Sequence, residues 1–352
     1  MIFDAHLDMA WNACDWNRNL LLPVQEIRQF EQQFADIVPG ECTVSWPELR
    51  RGGVGTIIAT LLPRLHRKDK RLSFFQSREA AYAASQGQLA YYRAMVARGE
   101  IRWIRNRQEL DTHVSEWEAN SHNGSPIGFI LSMEGSWSIL SPADIPQWHD
   151  AGLRILGPAH YGPDYYCHGT GSRGGLKEEG PALLKEMEEA GVLLDATHLS
   201  DQSFWEALEI YTGPVLASHH NCRSLVDGDR QLTDEQIKAL IARGAVIGAV
   251  FDCWMLQPGW QIGHSDPRTV SLENVADHID HICQLAGNAQ HCGIGTDLDG
   301  GFGKEQTPHD LGTIADLGRL AETLERRGYS GNDIEGVMQR NFVEFFRRAW
   351  SD

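Results

Sequence analysis

Short apolar runs, many of them β-branched, alternate along the chain with longer amphipathic or polar stretches. Eight of these runs read as strands: Ile2–His6, Val54–Leu61, Ile127–Met133, Leu153–Gly157, Val192–Thr197, Pro214–Ser218, Ala245–Phe251 and Cys292–Asp297. They do not alternate strictly between apolar and polar, as expected of parallel strands covered on both faces. A ninth run, Ile101–Ile104, fits a strand whose place the pattern does not assign. Between the runs lie helices with recognisable ends. Ser73–Arg98 is alanine-rich and stops at Gly99, and Pro181–Ala190 stops at Gly191. Thr233-x-x-Gln236 is a capping box opening a helix that closes at Gly244, and a final helix spans Asp333–Trp350. Eight β/α units over this length predict an α/β fold, a (β/α)8 TIM barrel. With no internal repeat and no Pro/Ser-rich linker, residues 1–352 read as a single domain.

Composition narrows the classes of function. No run approaches the roughly 18–20 apolar residues that span a bilayer, and the N-terminus lacks a basic segment followed by an apolar one. The expectation is a cytoplasmic protein with no membrane partner. Cys14, Cys42, Cys167, Cys222, Cys253, Cys283 and Cys292 are scattered without a C-x-x-C, which argues against a disulfide framework or a zinc knuckle. A formal charge of −17 disfavours nucleic acid and anionic membrane, both of which need a basic face.

Barrel enzymes carry their chemistry at the C-terminal ends of the strands. The first strand ends in His6 and Asp8. Strand alternation puts these two and Asp4 on one face, and an imidazole and a carboxylate so spaced can hold a divalent metal together. Glu134 ends the third strand, His160 follows the fourth, and Asp195-Ala-Thr-His198 ends the fifth. Ser218-His219-His220 follows the sixth, and Asp297 ends the eighth. Each residue alone is ordinary: a histidine after a strand is commonly a satisfied polar residue, and Asp297 can be a turn former beside Asp299-Gly300-Gly301. Together, in phase with the strand ends, they read as a metal site. Two metals roughly 3.5–4 Å apart need a bridging anion, and no lysine stands at a strand end to be carboxylated, whereas Glu134 does. His219 and His220 are adjacent and face opposite ways, so one of them reaches the metals. His278 and His281 fall in a helical segment and read as packing or surface residues. Nothing pairs Cys222 or Cys253 with a base, and Trp11, Trp16, Trp137 and Trp254 read mostly as packing.

In order and spacing, several landmarks resemble the membrane dipeptidase (renal dipeptidase) family, peptidase family M19 of the amidohydrolase superfamily, over nearly the whole chain. They are Asp4-Ala-His6-Leu-Asp8, Arg51-Gly-Gly-Val-Gly55, Met133-Glu-Gly135, Asp195-Ala-Thr-His198, Ser218-His219, Asp229-Arg-Gln-Leu-Thr-Asp234, Gly293-Ile-Gly-Thr-Asp297-Leu-Asp299-Gly300 and Gln339-Arg-Asn-Phe342. The resemblance implies two Zn2+ per chain, one held by His6 and Asp8, the other by His198 and His219, with Glu134 bridging them. It implies attack by a hydroxide shared between the metals, Asp297 as acid/base, His160 as the substrate-binding donor at the carbonyl oxygen, and Arg230 as the cation for the substrate carboxylate. The implied activity is zinc-dependent hydrolysis of small dipeptides, including those with a C-terminal D residue. Family members are often homodimers. Hydrolysis of another small amide, such as an N-acyl amino acid or cyclic amide, remains open at this level, as does a non-catalytic ligand-binding barrel. Two loops depart from the family. The exit from the first strand, Met9-Ala-Trp11-Asn-Ala-Cys-Asp-Trp16, is long and bulky. The loop Tyr161-Gly-Pro-Asp-Tyr-Tyr-Cys-His-Gly169 lacks the family's Asn-rich and Trp-Ala-Asp run.

Overall fold

A computed structural model of the chain describes residues 1–34, 40–65, 73–120 and 124–350. Its strands are β1 (Ile2–Leu7), β2 (Val54–Leu61), β3 (Ile101–Trp103), β4 (Ile127–Glu134), β5 (Leu153–Gly157), β6 (Leu193–Asp195), β7 (Val215–Leu216), β8 (Ile247–Ala249) and β9 (Cys292–Ile294). Their pairings are parallel throughout, in the order β7-β6-β5-β4-β2-β1-β9-β8. The ring closes where Ala217, just past β7, bridges Ile247 of β8, with Gly248 N donating to Ala217 O at 2.8 Å. The result is the expected eight-stranded parallel barrel. The unassigned run is β3, which pairs with residues 127–129 of β4, while β5 pairs with residues 131–134 of the same strand. One edge of β4 is therefore shared end to end by two short neighbours.

Strands β2 and β5 match their apolar runs to the residue, but the late strands stop short of theirs, and buried polar side chains explain where. Asp195 Oδ1 accepts from Thr197 N and Ser218 N, both at 3.0 Å, taking donors a longer ladder would need. Asp4 does the same at the end of β9, accepting Thr296 N at 2.9 Å and Thr296 Oγ1 at 2.6 Å. Asn221 takes both backbone groups of Val250 and ends β8.

The strand-one alternation also needs correction. Register irregularities in β1 fall between Ile2 and Phe3 and between Asp4 and Leu7. Phe3 and Ala5 join an apolar cluster with Ile58, Ile130, Ile155, Leu193, Leu216 and Val246, one residue from most of the barrel strands. Ile130 shares its strand face with Glu134, and Ile58 shares its face with Thr60, so this cluster fills the barrel beneath those residues. Phe3 stacks on Phe342 at 5.3 Å and Phe346 at 5.8 Å, which closes the floor. The Asp4 carboxylate turns to backbone donors and Thr296: Oδ1 accepts His6 N at 3.2 Å and Thr296 N at 2.9 Å, and Oδ2 accepts Thr296 Oγ1 at 2.6 Å.

The helices start and stop close to their signals. Arg78–Ala97 begins later than Ser73, capped by Ser77, whose oxygen accepts Ala80 N at 3.2 Å. Gly180–Ala190 ends at a left-handed Gly191, and Asp234–Ala242 carries the Thr233/Gln236 capping box. The last helix is interrupted. Gly331–Glu335 passes through a wide turn, Gly336–Arg340, into Asn341–Ala349. Asn341 Nδ2 there donates to Ala289 O at 2.6 Å and Cys292 O at 2.7 Å, tying the helix to the start of β9. Among the described residues no helix is long and apolar enough to cross a membrane.

Candidate metal centre

The C-terminal ends of the strands bring together His6, Asp8, Glu134, His160, His198, His219 and Asp297. Glu134 is the last residue of β4 and presents Oε1 to three imidazoles. The Nε2 atoms of His198, His219 and His6 lie 3.2, 3.4 and 3.7 Å from it. Asp8 Oδ1 and Asp297 Oδ1 are each 3.8 Å from His6 Nε2. His160 Nε2 stands 3.8 Å from the other oxygen, Glu134 Oε2. The groupings His6–Glu134–His219, Glu134–His160–His198 and His6–Asp8–Asp297 each hold their ligand atoms within 4.8 Å of one another.

Two of these residues sit in strained backbone. His198 has φ of 67° and Asp297 has φ of 57°, the left-handed region that polar residues enter at some cost. Asp297 N donates to His6 O at 3.3 Å, which locks the end of β9 to the first metal-type ligand. Gly300 makes room for Asp297, since a Cβ there would lie 1.7 Å from Asp297 Oδ1.

The donor set fits cations. Ligands roughly 2.0–2.2 Å from a tetrahedral ion lie roughly 3.3–3.6 Å from each other, close to the spacings around Glu134 Oε1. His6 Nε2 and Glu134 Oε1 are buried with no hydrogen-bond partner among the described residues. His198 Nε2 and His219 Nε2 face each other at 3.3 Å. Thr170 Oγ1 donates to His198 O at 3.3 Å and so accepts from His198 Nδ1 at 3.0 Å, which leaves Nε2 with its lone pair directed inward. Ser218 Oγ bonds His219 Nδ1 at 2.9 Å, and Thr60 Oγ1 donates to Asp8 Oδ1.

Burial pushes the whole cluster toward its neutral forms. It lowers His6 to about 3, and it holds His198 and His219 well below the ordinary histidine value. It raises Asp8 to about 6. Glu134 and Asp297 rise well above the ordinary carboxylate range, from burial first and then the negative field of Asp8. Neutral imidazoles are the ligating form, and a bound cation would favour the ionised carboxylates that burial opposes.

Arg230 is 2% exposed and lies behind His219, with Nη2 donating to His219 O at 3.1 Å. Its Nη1 is buried with no hydrogen-bond partner among the described residues. Gly171 N donates to Asp229 Oδ2 at 2.9 Å, so the loop after His160 braces the Arg230 segment. His220 turns away from the cluster, and its Nε2 accepts His198 N at 3.4 Å. His278 is buried and accepts Cys222 N on Nδ1 at 3.1 Å, whereas His281 pairs with Asp234 at 2.8 Å near the surface.

Two further residues, outside every landmark motif, stand near the cluster. Arg64, three positions beyond β2, points Nη1 at His160 Nδ1 from 2.8 Å. Asp252, three positions beyond β8, is buried and raised to about 7, with Gln306 Nε2 donating to both its oxygens at 2.8 Å. Both stand at strand ends, so the rule that found the histidines also reaches them, but neither belongs to a landmark motif.

Comparisons with known proteins identify the family. The family model described as membrane dipeptidase (peptidase family M19) matches residues 1–351. A protein in the pqqA 5' region of Klebsiella pneumoniae is 29% identical over 215 residues, 59% of this chain and 76% of that protein. Dipeptidase verJ of Clonostachys rogersoniana is 29% identical over 222 residues, 62% of this chain and 54% of its own. The chain thus spans about half the length of that curated dipeptidase. A crystal structure of a metallopeptidase from Rhodobacter sphaeroides, liganded with a phosphinate mimic of the dipeptide L-Ala-D-Ala, superposes with a TM-score of 0.80 at 21% identity, covering 99% of each chain. With a family model matched from end to end on a parallel barrel of the same fold, the chain belongs to the membrane dipeptidase family, peptidase family M19.

Proposed function

We propose that this protein is a zinc-dependent dipeptidase that cleaves the peptide bond of small dipeptides, including those with a D residue at the C-terminal position. One observation carries the reading: three imidazole Nε2 atoms converge on Glu134 Oε1, with Asp8 and Asp297 beside His6. His6 and Asp8 would hold one zinc and His198 and His219 a second, with Glu134 spanning the two. Ions held there lower the pKa of water toward neutrality and polarise the scissile carbonyl. The remaining work falls to the chain's own groups. Asp297 is the most open of the site's carboxylates, with its side chain 16% exposed, against 2% for Asp8 and 7% for Glu134. From that rim its carboxylate takes a proton from the attacking water and returns it to the leaving nitrogen. His160 Nε2 donates to the carbonyl oxygen as negative charge builds there. Arg230 offers Nη1, buried and unpartnered among the described residues, to the substrate's free carboxylate. The ligand reported for the Rhodobacter sphaeroides relative, a mimic of L-Ala-D-Ala, supports including dipeptides with a C-terminal D residue.

A stereochemically complete dipeptide library assayed with zinc-loaded protein tests the reading. The expected result is turnover of L,L- and L,D-dipeptides and none of substrates lacking a free C-terminal carboxylate. Asp297→Asn should keep its zinc and fold while kcat drops about 10²–10⁴-fold, the usual reach of a general acid/base. Wild-type turnover by that variant removes Asp297 from the mechanism, and hydrolysis confined to N-acyl amino acids removes the dipeptidase assignment.

A further inference from the structure

We propose that Arg64 is a positioning residue that fixes the tautomer of His160, so that the imidazole presents N–H rather than a lone pair to the reacting carbonyl. The inference rests on the donor role given to His160 above. A guanidinium has only donors and stays charged throughout the working pH range. At 2.8 Å from Arg64 Nη1, His160 Nδ1 is therefore the acceptor. A neutral ring accepting on Nδ1 carries its single proton on Nε2, the atom that faces Glu134 Oε2 at 3.8 Å. The positive neighbour also draws electron density from the ring and sharpens Nε2–H as a donor.

The chain invests several contacts in holding this guanidinium. It lies over the rings of Phe74 at 5.0 Å and Tyr161 at 5.6 Å, both within cation–π range. Trp11 Nε1 donates to Arg64 O at 2.6 Å, and Trp11 itself packs on Trp16 at 5.1 Å. Tyr161 packs edge-on against His160 at 5.0 Å and against His198 at 5.0 Å. Trp11 and Trp16 lie in the bulky exit from β1, and Tyr161 opens the loop after His160. These are the two segments where the sequence departs from the family landmarks. Both departures converge on one arginine.

The test is the protonation pattern of His160 in zinc-loaded protein labelled with 15N-histidine, its signals assigned by their loss in His160→Gln. Wild type should show the proton on Nε2 and a bare Nδ1; a proton on Nδ1 overturns the proposal without any variant. Arg64→Met, similar in length but uncharged, should give a mixture of tautomers and lower kcat about 10²-fold, with KM within a few-fold and zinc content unchanged. Arg64→Lys, which keeps a cationic donor, should retain the Nε2–H tautomer and recover part of kcat. The double variant Arg64→Met/His160→Gln should be no slower than His160→Gln alone, because both changes remove one interaction. A loss seen in KM alone, or full additivity in the double variant, assigns Arg64 to substrate binding and overturns the positioning role. If no dipeptide is hydrolysed, the dipeptidase reading fails, while the tautomer measurement still decides the pairing of Arg64 with His160.

Discussion

At the scale of single residues, the same amino-acid type does different work a few positions apart. Asp297 and Asp299 share a turn and a left-handed backbone, with φ of 57° and 63°. Asp299 is consumed by structure: its carboxylate accepts Thr43 N and Val44 N and lies 3.1 Å from the buried Arg18. Asp297 is left facing His6. Gly300 keeps it there, because the nearest atom to any added Cβ is Asp297 Oδ1. Gly300→Ala should therefore push the Asp297 carboxylate out of place, lowering kcat by at least about tenfold while zinc content is retained, a loss of well over 1 kcal/mol of transition-state stabilisation. Kinetics beside metal analysis of the purified variant decide this, and wild-type kcat would show that Asp297 does its work from another position. Asp4 makes the complementary case. It sits in the same motif as His6 and Asp8, yet two bonds to Thr296 make it a clamp on β9. Residue type and spacing found the cluster, but which carboxylates are free to act depends on backbone donors that only the folded chain brings near them.

At the scale of elements, the helix Leu272–Ala286 illustrates how a buried neutral histidine shapes acid stability. His278 accepts the Cys222 amide, and burial lowers it from the ordinary 6.5 to about 3. Between those values the unfolded chain binds the proton and the folded chain does not. Unfolding is then favoured progressively as pH falls from about 6.5 toward 3, and the contribution is fully present above 6.5. His278→Gln keeps an acceptor for Cys222 N but cannot titrate. Urea unfolding at pH 7 and pH 4.5 should show wild type losing more stability than the variant across that interval. Parallel losses would mean that His278 is not one of the groups driving acid unfolding. The elements themselves were legible to different depths. Val54–Leu61 and Leu153–Gly157 stand as read, because each has a strand on both sides and is paired along most of its length on at least one of them. The apolar runs around β6, β8 and β9 outlast their ladders, because Asp195, Asn221 and Asp4 intercept the backbone groups at the strand ends. Apolar pattern reports burial, and burial continues past the point where pairing stops. The break in the last helix was hidden for a related reason: Asn341 stands in a landmark, but its tie to Ala289 and Cys292 exists only once the fold brings them beside it.

At the scale of the whole molecule, the barrel gathers Asp8, Glu134 and Asp297 around neutral imidazoles in a largely buried mouth, which leaves the cation-free protein poorly matched to its own charges. Folding without a cation raises these three carboxylates, Asp8 to about 6, so between the ordinary carboxylate value and about 6 the stability of the cation-free form falls as pH rises. Zinc bound as proposed would reverse the dependence. It would need the ionised carboxylates and bare imidazoles, so its affinity should grow as pH rises and binding should release protons. The two trends diverge, and the gap between zinc-loaded and chelator-stripped protein should widen with pH. With free zinc at about a hundred times its dissociation constant, the loaded form gains about 2.7 kcal/mol. Thermal unfolding at pH 7.5 should show the stripped protein melting several degrees below the loaded one, and at pH 5.5 the difference should shrink. Titration calorimetry in two buffers of different ionisation enthalpy counts the protons released, which should exceed zero at pH 6 and diminish by pH 8 as Asp8 ionises unaided. Coincident melting curves at pH 7.5, with no proton release on adding zinc, would show that the barrel mouth is stable with its acids protonated and that these side chains are not assembled around metal.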